Sequence, residues 1–198
     1  MHAHRPPSAL DWHGLGRRRF LRLMVQTGTA AAILPLAACS GDTPVRPRLL
    51  VLSASQAVTL ATLAQAVVPS QKGFPTAAQA QVVQRMDEDL WLSDVSIQDD
   101  MRAALGVMEW LPLAYGYFSR FSKLTVTQQQ AVVNTTMASR IDIVRAIGTN
   151  LKLVSHFMYF GHPSTWAAIG YDGPFQKLPP IISEQRKAYA IRVAGTAL

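Results

Sequence analysis

Few residues in the body of this 198-residue chain are of the types that carry out chemistry. His156 and His162 are six residues apart, and a metal site would require a tighter spacing or further ligands. His156 also shares a polar helical stripe with Arg145 and Lys152, whose positive charges disfavour a cation. No nucleophile-elbow motif accompanies the histidines, although many serines are present. We therefore expect both histidines to be solvated or to lie at an interface.

Asp87, Glu88 and Asp89 place three carboxylates in succession. Successive helix residues point in different directions, so this run predicts a solvated helix face and not an acid–base pair. Neither a Gly-x-Gly-x-x-Gly motif nor a Cys-x-x-Cys-His motif occurs, so we expect no dinucleotide and no covalent haem. The methionines at apolar helical positions are expected in the core, not in a metal site: Met86, Met101, Met108 and Met158. We predict no catalytic, metal or cofactor site in this chain.

The N-terminal residues are typical of an export signal. Arg17 and Arg18 are followed by Phe20 and Leu21, and then by a mildly apolar run over residues 23–38 that is too short to span a bilayer. Paired arginines before Phe-Leu predict the twin-arginine route, which carries folded proteins. An ordinary secretory signal or a short anchor is the alternative. We predict a signal peptide over residues 1–38.

The single cysteine follows the signal directly. Leu36-Ala37-Ala38-Cys39 resembles a lipobox, in which Cys39 becomes the acylated first residue of the mature protein; cleavage beside it would instead leave a free thiol. Residues 1–38 also carry five arginines against one aspartate, so their removal lowers the net charge from +7 to +3. The mature chain is then only mildly basic, and we expect no nucleic-acid partner. We predict a periplasmic, lipid-anchored protein with a tether over residues 39–52.

Apolar periodicity predicts an all-α fold, an irregular bundle of four to six helices over residues 53–175, with a C-terminal tail over 176–198. Ser53 and Thr76 each precede Gln at capping-box spacing and open the first two helices, of which the first has no charged residue. Pro112 is expected to kink or end the third helix. The other predicted helices span residues 125–138 and 139–160. The tail either wraps along a partner or stays disordered.

Eleven of the aromatic residues fall in two short segments, residues 110–121 and 157–175. Aromatic side chains on such turns either close the end of a bundle or dock on a partner. Spacing alone favours neither interpretation. The candidates for a partner interface are Trp110, Tyr115, Tyr117, Tyr159, Phe160, Trp166, Tyr171, Asp172 and Phe175.

The twin-arginine signal, the first helix Ser55-Gln56-Ala57-Val58-Thr59-Leu60-Ala61-Thr62-Leu63-Ala64 and the closing Tyr-Phe-x-x-Pro-x-x-Trp-x-x-Ile-Gly-Tyr-Asp-Gly-Pro motif resemble one family. This is gluconate 2-dehydrogenase subunit 3, the small (gamma) subunits of membrane-associated flavin dehydrogenases. The resemblance covers roughly residues 17–175, and the closing motif is its most specific part.

The resemblance implies a non-catalytic subunit without a cofactor of its own. Its partner would be a large FAD subunit of the glucose-methanol-choline (GMC) oxidoreductase type that oxidises an alcohol or sugar, and a multihaem cytochrome c often accepts the electrons. The small subunit would supply the signal that the twin-arginine translocase recognises, so that the large subunit is exported with it. The alternative is a stand-alone periplasmic lipoprotein that binds a small apolar ligand between its helices.

Overall fold

The computed structural model describes residues 48–174 and 183–195. Over these residues the protein is all-α, without a strand, as predicted. The residues of the predicted signal peptide, including Arg17, Arg18, Phe20 and Leu21, lie outside the described residues, as do Cys39 and Phe175. The helices are α1 Ala54–Val67, α2 Val82–Trp91, α3 Val95–Ala114, α4 Val126–Met137, α5 Asp142–Phe160, α6 Pro163–Trp166 and α7 Glu184–Ala194, with 3₁₀ turns at Phe121–Lys123 and Ala167–Ile169.

The predicted capping box of the first helix is present. The Ser53 side chain accepts from the Gln56 backbone N–H, and the Gln56 side chain accepts from the Ser53 N–H. These bonds satisfy two backbone donors that a helix start otherwise leaves unpaired. Helix α1 begins at Ala54, directly after the predicted cap Ser53, and ends at Val67, two residues before Pro69.

The second helix begins later than predicted. The Thr76 and Gln79 side chains do exchange the two capping hydrogen bonds, at 2.7 and 3.2 Å. However, Gln81 adopts a left-handed backbone conformation with φ of 51°, and residues 77–81 form turns. Because a left-handed residue interrupts the helical hydrogen-bond ladder, α2 begins only at Val82. The capping pattern therefore marks a turn and not the helix start.

Pro112 lies within the last turn of α3 and not at its end. The backbone N–H groups of Tyr115 and Tyr117 both donate to the Pro112 carbonyl, which closes the helix by a tight turn. Proline is tolerated there because only one helical hydrogen bond is lost close to the terminus. Leu105 and Met108 are fully buried on one side of α3, and for Met108 this confirms the predicted core position.

Helices α4 and α5 pack against each other through a glycine. A Cβ atom built on Gly148 would lie 2.8 Å from Thr136 Cγ2 and 3.2 Å from the Met137 backbone nitrogen, so the two helices approach more closely than any side chain on α5 would allow. Residues from α1 to α5 and from the Phe121–Lys123 turn form the core, including Leu60, Leu63, Met86, Leu105, Met108, Phe121, Val132, Leu151 and Tyr159.

The contacts of Asp87 contradict two predictions: that the tether extends to residue 52, and that the carboxylate run is solvated. This side chain is completely buried, and its carboxylate accepts the backbone N–H groups of Leu50, Val51 and Leu52 at 2.7, 2.9 and 2.8 Å. Val51 and Leu52 are buried as well. A buried carboxylate is stable only when its oxygens are paired, and the N–H groups of residues 50–52 supply that pairing. The last residues of the predicted tether thus belong to the domain.

Part of the predicted C-terminal tail is a helix packed on α2. The Tyr189 hydroxyl of α7 donates to Asp87, and the Tyr189 ring lies 5.8 Å from the Trp91 ring. The Arg186 guanidinium binds Glu88 and Asp89 at 3.2 and 3.3 Å. The three successive carboxylates therefore hold the N-terminal segment and α7, and the prediction that they form a solvated face is wrong for Asp87.

Candidate functional site

The two histidines have structural partners. His156 Nε2 lies 2.9 Å from the Val67 carbonyl, so the side chain closes the end of α1. His162 Nδ1 accepts from the Ser164 backbone N–H and lies 2.7 Å from its hydroxyl, so it caps the short helix α6. Burial, and then the nearby positive charge of Arg85, lower the pKa of His162. Within the described ranges, 48–174 and 183–195, no three His, Cys, Asp or Glu residues are grouped so as to hold a metal.

The first aromatic segment divides between core and surface. Phe121 is fully buried, and the Tyr115 hydroxyl donates to Thr136 on α4. Tyr115 and Tyr117 are half-buried and pack against the core. In contrast, Trp110 is 56% exposed and Phe118 is fully exposed. Of the interface candidates in this segment, Trp110 therefore lies most fully on the surface.

The second aromatic segment is joined to the core by Tyr159. This residue is completely buried, its hydroxyl donates to the Pro75 carbonyl, and burial raises the pKa of its phenol. Tyr159 therefore belongs to the core, and its assignment to an interface is corrected. The half-buried Phe160 ring packs edge-on against Tyr159, with centroids 5.0 Å apart.

The residues after Phe160 form an aromatic turn, residues 163–173. The Trp166 indole N–H donates to the Phe160 carbonyl, and the Tyr171 ring packs edge-on against Trp166 at 5.3 Å. Gly173 has φ of +103°, and a Cβ there would lie 3.0 Å from the Trp166 ring, so only glycine fits this turn. Tyr171 and Asp172 are exposed and Trp166 is half-buried, so these three candidates are accessible at the surface.

A groove of about 750 Å³ lies over α1. Its floor is formed by α1 residues three or four positions apart, its walls by the start of α2 with the preceding turn and by the start of α4. Fifteen residues line it: Leu49, Leu52, Ala54, Ala57, Val58, Ala61, Thr62, Gln65, Ala77, Ala78, Val82, Val83, Gln84, Val126 and Gln129. None of these side chains is charged. This surface is called the α1 groove below.

Polar contacts fix the walls and floor of the α1 groove. The Gln65 side chain accepts the Ala77 backbone N–H at 3.1 Å and so holds the 77–81 turn against α1. On the other wall, the Gln129 amide donates to the Leu124 carbonyl at 2.7 Å. Both glutamines are thereby engaged within the protein. The groove consequently presents alanine, valine and leucine side chains from a fixed frame.

The α1 groove is open to solvent along the middle of the helix. Val58 is 42% exposed, and Ala54 and Ala61 are exposed as well. Small residues at helical spacing let a second backbone approach closely, and an apolar trough with a helix as floor is the form that accepts an amphipathic helix.

One feature of the sequence indicated a surface of this kind on α1. Helix α1 has no charged residue, and its polar residues form a narrow stripe, which indicates a helix covered on most sides. The residues of the walls could not be found in this way, because the 77–81 turn and the start of α4 meet α1 only through long-range contacts.

In the part of the chain that is described, every helix is too short or too polar to cross a membrane. No family model, curated protein or solved structure matches the chain.

Proposed function

We propose that this chain is the non-catalytic small subunit of an exported FAD-dependent alcohol or sugar dehydrogenase. Its helical domain binds a large GMC-type flavoprotein subunit, and its twin-arginine signal carries both subunits through the translocase. The resemblance of the signal, the first helix and the closing motif supports the family. The uncharged, solvent-open α1 groove is the observation that carries the binding role.

The groove fits a protein segment for a physical reason. Burying apolar surface contributes about 25 cal/mol per Å², and an uncharged lining requires no desolvation of ions when a partner covers it. The aromatic turn adds Trp166 and Tyr171, residue types enriched at interfaces. The partner's docking segment is therefore expected to be apolar on one face and uncharged where it contacts Ala57, Val58 and Ala61.

The proposal places the chemistry in the partner. FAD and the substrate pocket belong to the large subunit, and a multihaem cytochrome c is the proposed electron acceptor. After export the pair is held at the membrane on the periplasmic side through the lipid on Cys39. In this arrangement the small subunit has no catalytic residue of its own.

Export provides the test of this proposal. Arg17→Lys together with Arg18→Lys should leave both subunits in the cytoplasm, whereas the wild-type pair should be recovered from the periplasmic or membrane fraction with FAD bound. The matched control is Arg5→Lys with Arg22→Lys, which retains the paired arginines. Export of the large subunit despite loss of Arg17 and Arg18 would refute the escort role.

A second function has one observation in its favour. The volume of the α1 groove falls within the range of about 300–1,000 Å³ of small-molecule sites, which suits a stand-alone lipoprotein that binds an apolar ligand. A monomeric, soluble and stable purified chain that takes up a hydrophobic dye in the groove, and fails to bind a flavoprotein, would favour this alternative.

A further inference from the structure

Residues 110–123, at and after the C-terminal end of α3, expose large apolar and cationic side chains outside the α1 groove. These are Trp110, Leu113, Phe118, Arg120 and Lys123, here called the aromatic tip. Phe118 is fully exposed, Trp110 is 56% exposed and Leu113 is 50% exposed. Several exposed large apolar side chains in one short segment are a candidate interaction surface.

Contacts within the protein position Trp110 and Arg120 of the aromatic tip. The Arg120 guanidinium lies 5.6 Å from the centroid of the Trp110 ring and 3.9 Å from the Glu109 carboxylate. Glu109 in turn accepts the Thr59 hydroxyl at 3.0 Å and the Ser122 hydroxyl at 2.6 Å. The chain turns between α3 and Phe118 at Gly116, whose φ is +85°. Phe118 is therefore presented by a structured turn.

The outward charge of this side of the molecule is positive. Residues 103–139 contain three charged side chains, Glu109, Arg120 and Lys123. The Glu109 side chain is only 12% exposed and is hydrogen-bonded, while Arg120 and Lys123 are exposed. Apart from Glu109, the acidic residues of α3 and its N-cap lie in or just before its first two turns, about 15–24 Å along the helix axis from Trp110: Asp94, Asp99 and Asp100.

We propose that the aromatic tip inserts into the surface of an anionic phospholipid membrane. Phe118 and Leu113 would enter the acyl boundary, the Trp110 indole would lie at the level of the headgroups, and Arg120 and Lys123 would face the phosphates. Exposed apolar and aromatic side chains flanked by cations are the composition of interfacial anchors. The charge asymmetry of α3 orients the acidic end away from the lipid. This inference is independent of the flavoprotein partner.

A position-specific probe tests the inference on the full chain. Cys39→Ser removes the single cysteine, and Ser119→Cys then allows a polarity-sensitive dye to be attached beside Phe118. The control dye is placed at Ser96, which is exposed at the acidic end of α3. On phosphatidylcholine vesicles containing about one-third phosphatidylglycerol, the dye at position 119 should shift to the blue and be quenched by spin-labelled lipid, and the dye at 96 should not.

Two variants separate the roles of charge and apolar contact. Arg120→Glu with Lys123→Glu should raise the lipid concentration that gives half of the blue shift at position 119 by at least about 25-fold. Each cation near an anionic surface contributes about fivefold to the affinity for the membrane. Phe118→Ser should abolish the quenching by lipid while far-UV circular dichroism stays unchanged. A dye at 119 that stays in water while the chain sediments with the vesicles would refute the inference. Shielding of the dye at position 119 only after the flavoprotein subunit is added would also refute the inference, because that result assigns the aromatic tip to a protein interface.

Discussion

Asp87 and Tyr189 are 102 residues apart in the chain, and the Tyr189 hydroxyl donates a 2.8 Å hydrogen bond to the Asp87 carboxylate. The same carboxylate accepts three backbone N–H groups from Leu50, Val51 and Leu52. The Arg102 guanidinium donates to the Val51 carbonyl from the other side. One buried side chain thus joins the last residues of the predicted tether to α7.

Asp87→Asn should lower the free energy of unfolding by about 3 kcal/mol. The asparagine side chain places an NH2 group where one carboxylate oxygen of Asp87 accepts hydrogen bonds. At least one buried donor therefore loses its acceptor. Urea unfolding followed by circular dichroism measures the change. The matched control is Asp89→Asn on the same helix, which weakens only a partly exposed ion pair and should cost less than about 1 kcal/mol. Equal losses in the two variants would contradict the role of Asp87.

The Tyr189 phenol should resist ionisation at alkaline pH. Burial, followed by the hydrogen bond to Asp87, raises its pKa above the ordinary value of 10.0. Because the folded-state pKa is raised, the stabilisation is fully present below pH 10 and is lost as the pH rises further. Ultraviolet titration of the five tyrosines should show Tyr189 and Tyr159 ionising at higher pH than an ordinary tyrosine. Tyr189→Phe should flatten the alkaline loss of stability, and an unchanged profile would contradict this account.

Gly148→Ala should destabilise the protein by about 1–2 kcal/mol, although alanine is the better helix former. The added Cβ would lie 2.8 Å from Thr136 Cγ2 and force α4 and α5 apart. Gly106→Ala in the interior of α3 is the control, because no atom lies within 4 Å of its Cβ position. That variant should be stabilised by up to about 1 kcal/mol. Thermal unfolding distinguishes the two, and a stabilised Gly148→Ala would refute the close approach of the helices.

His162 should remain neutral at lower pH than an ordinary histidine. Its pKa is lowered by burial and by Arg85, so its contribution to stability is present above pH 6.5 and is lost as the pH falls through the folded-state pKa. Nuclear magnetic resonance titration of the imidazole protons measures that pKa directly. His162→Asn should keep the cap of α6, since the amide oxygen replaces Nδ1, and should remove this acid dependence. A His162 pKa at or above 6.5 would contradict the assignment.

Local sequence patterns predicted the fold class and several helix ends. The capping boxes at Ser53 and Thr125 fix the starts of α1 and α4, because their hydrogen bonds join residues three positions apart. The same pattern at Thr76 failed, because the left-handed Gln81 delays α2. The burial of Asp87 and the docking of α7 could not be predicted, since they depend on contacts between residues at least 35 positions apart.

The sequence indicated an unusual surface on α1, but it did not show where in the fold that surface is open. The absence of charge in α1 pointed to a covered or partner-bound helix, and the structure locates the open part as the α1 groove. Aromatic spacing could not separate core from surface, since Tyr159 and Phe160 are neighbours and only Tyr159 is completely buried. That distinction depends on the contact of Tyr159 with Pro75, which lies 84 residues away.

Co-purification with the proposed flavoprotein subunit shows whether the α1 groove is its docking site. Ala61→Arg places a charge on the exposed floor of the α1 groove, and Ala190→Arg places the same charge on the exposed surface of α7. Both variants should fold as the wild type does, because both alanines are exposed. Ala61→Arg should lower the amount of FAD-containing partner recovered by about tenfold or more, because the partner would have to bury an unpaired charge. Ala190→Arg should leave that amount unchanged. Equal recovery of the flavoprotein with both folded variants would contradict the assignment of the α1 groove as the docking site.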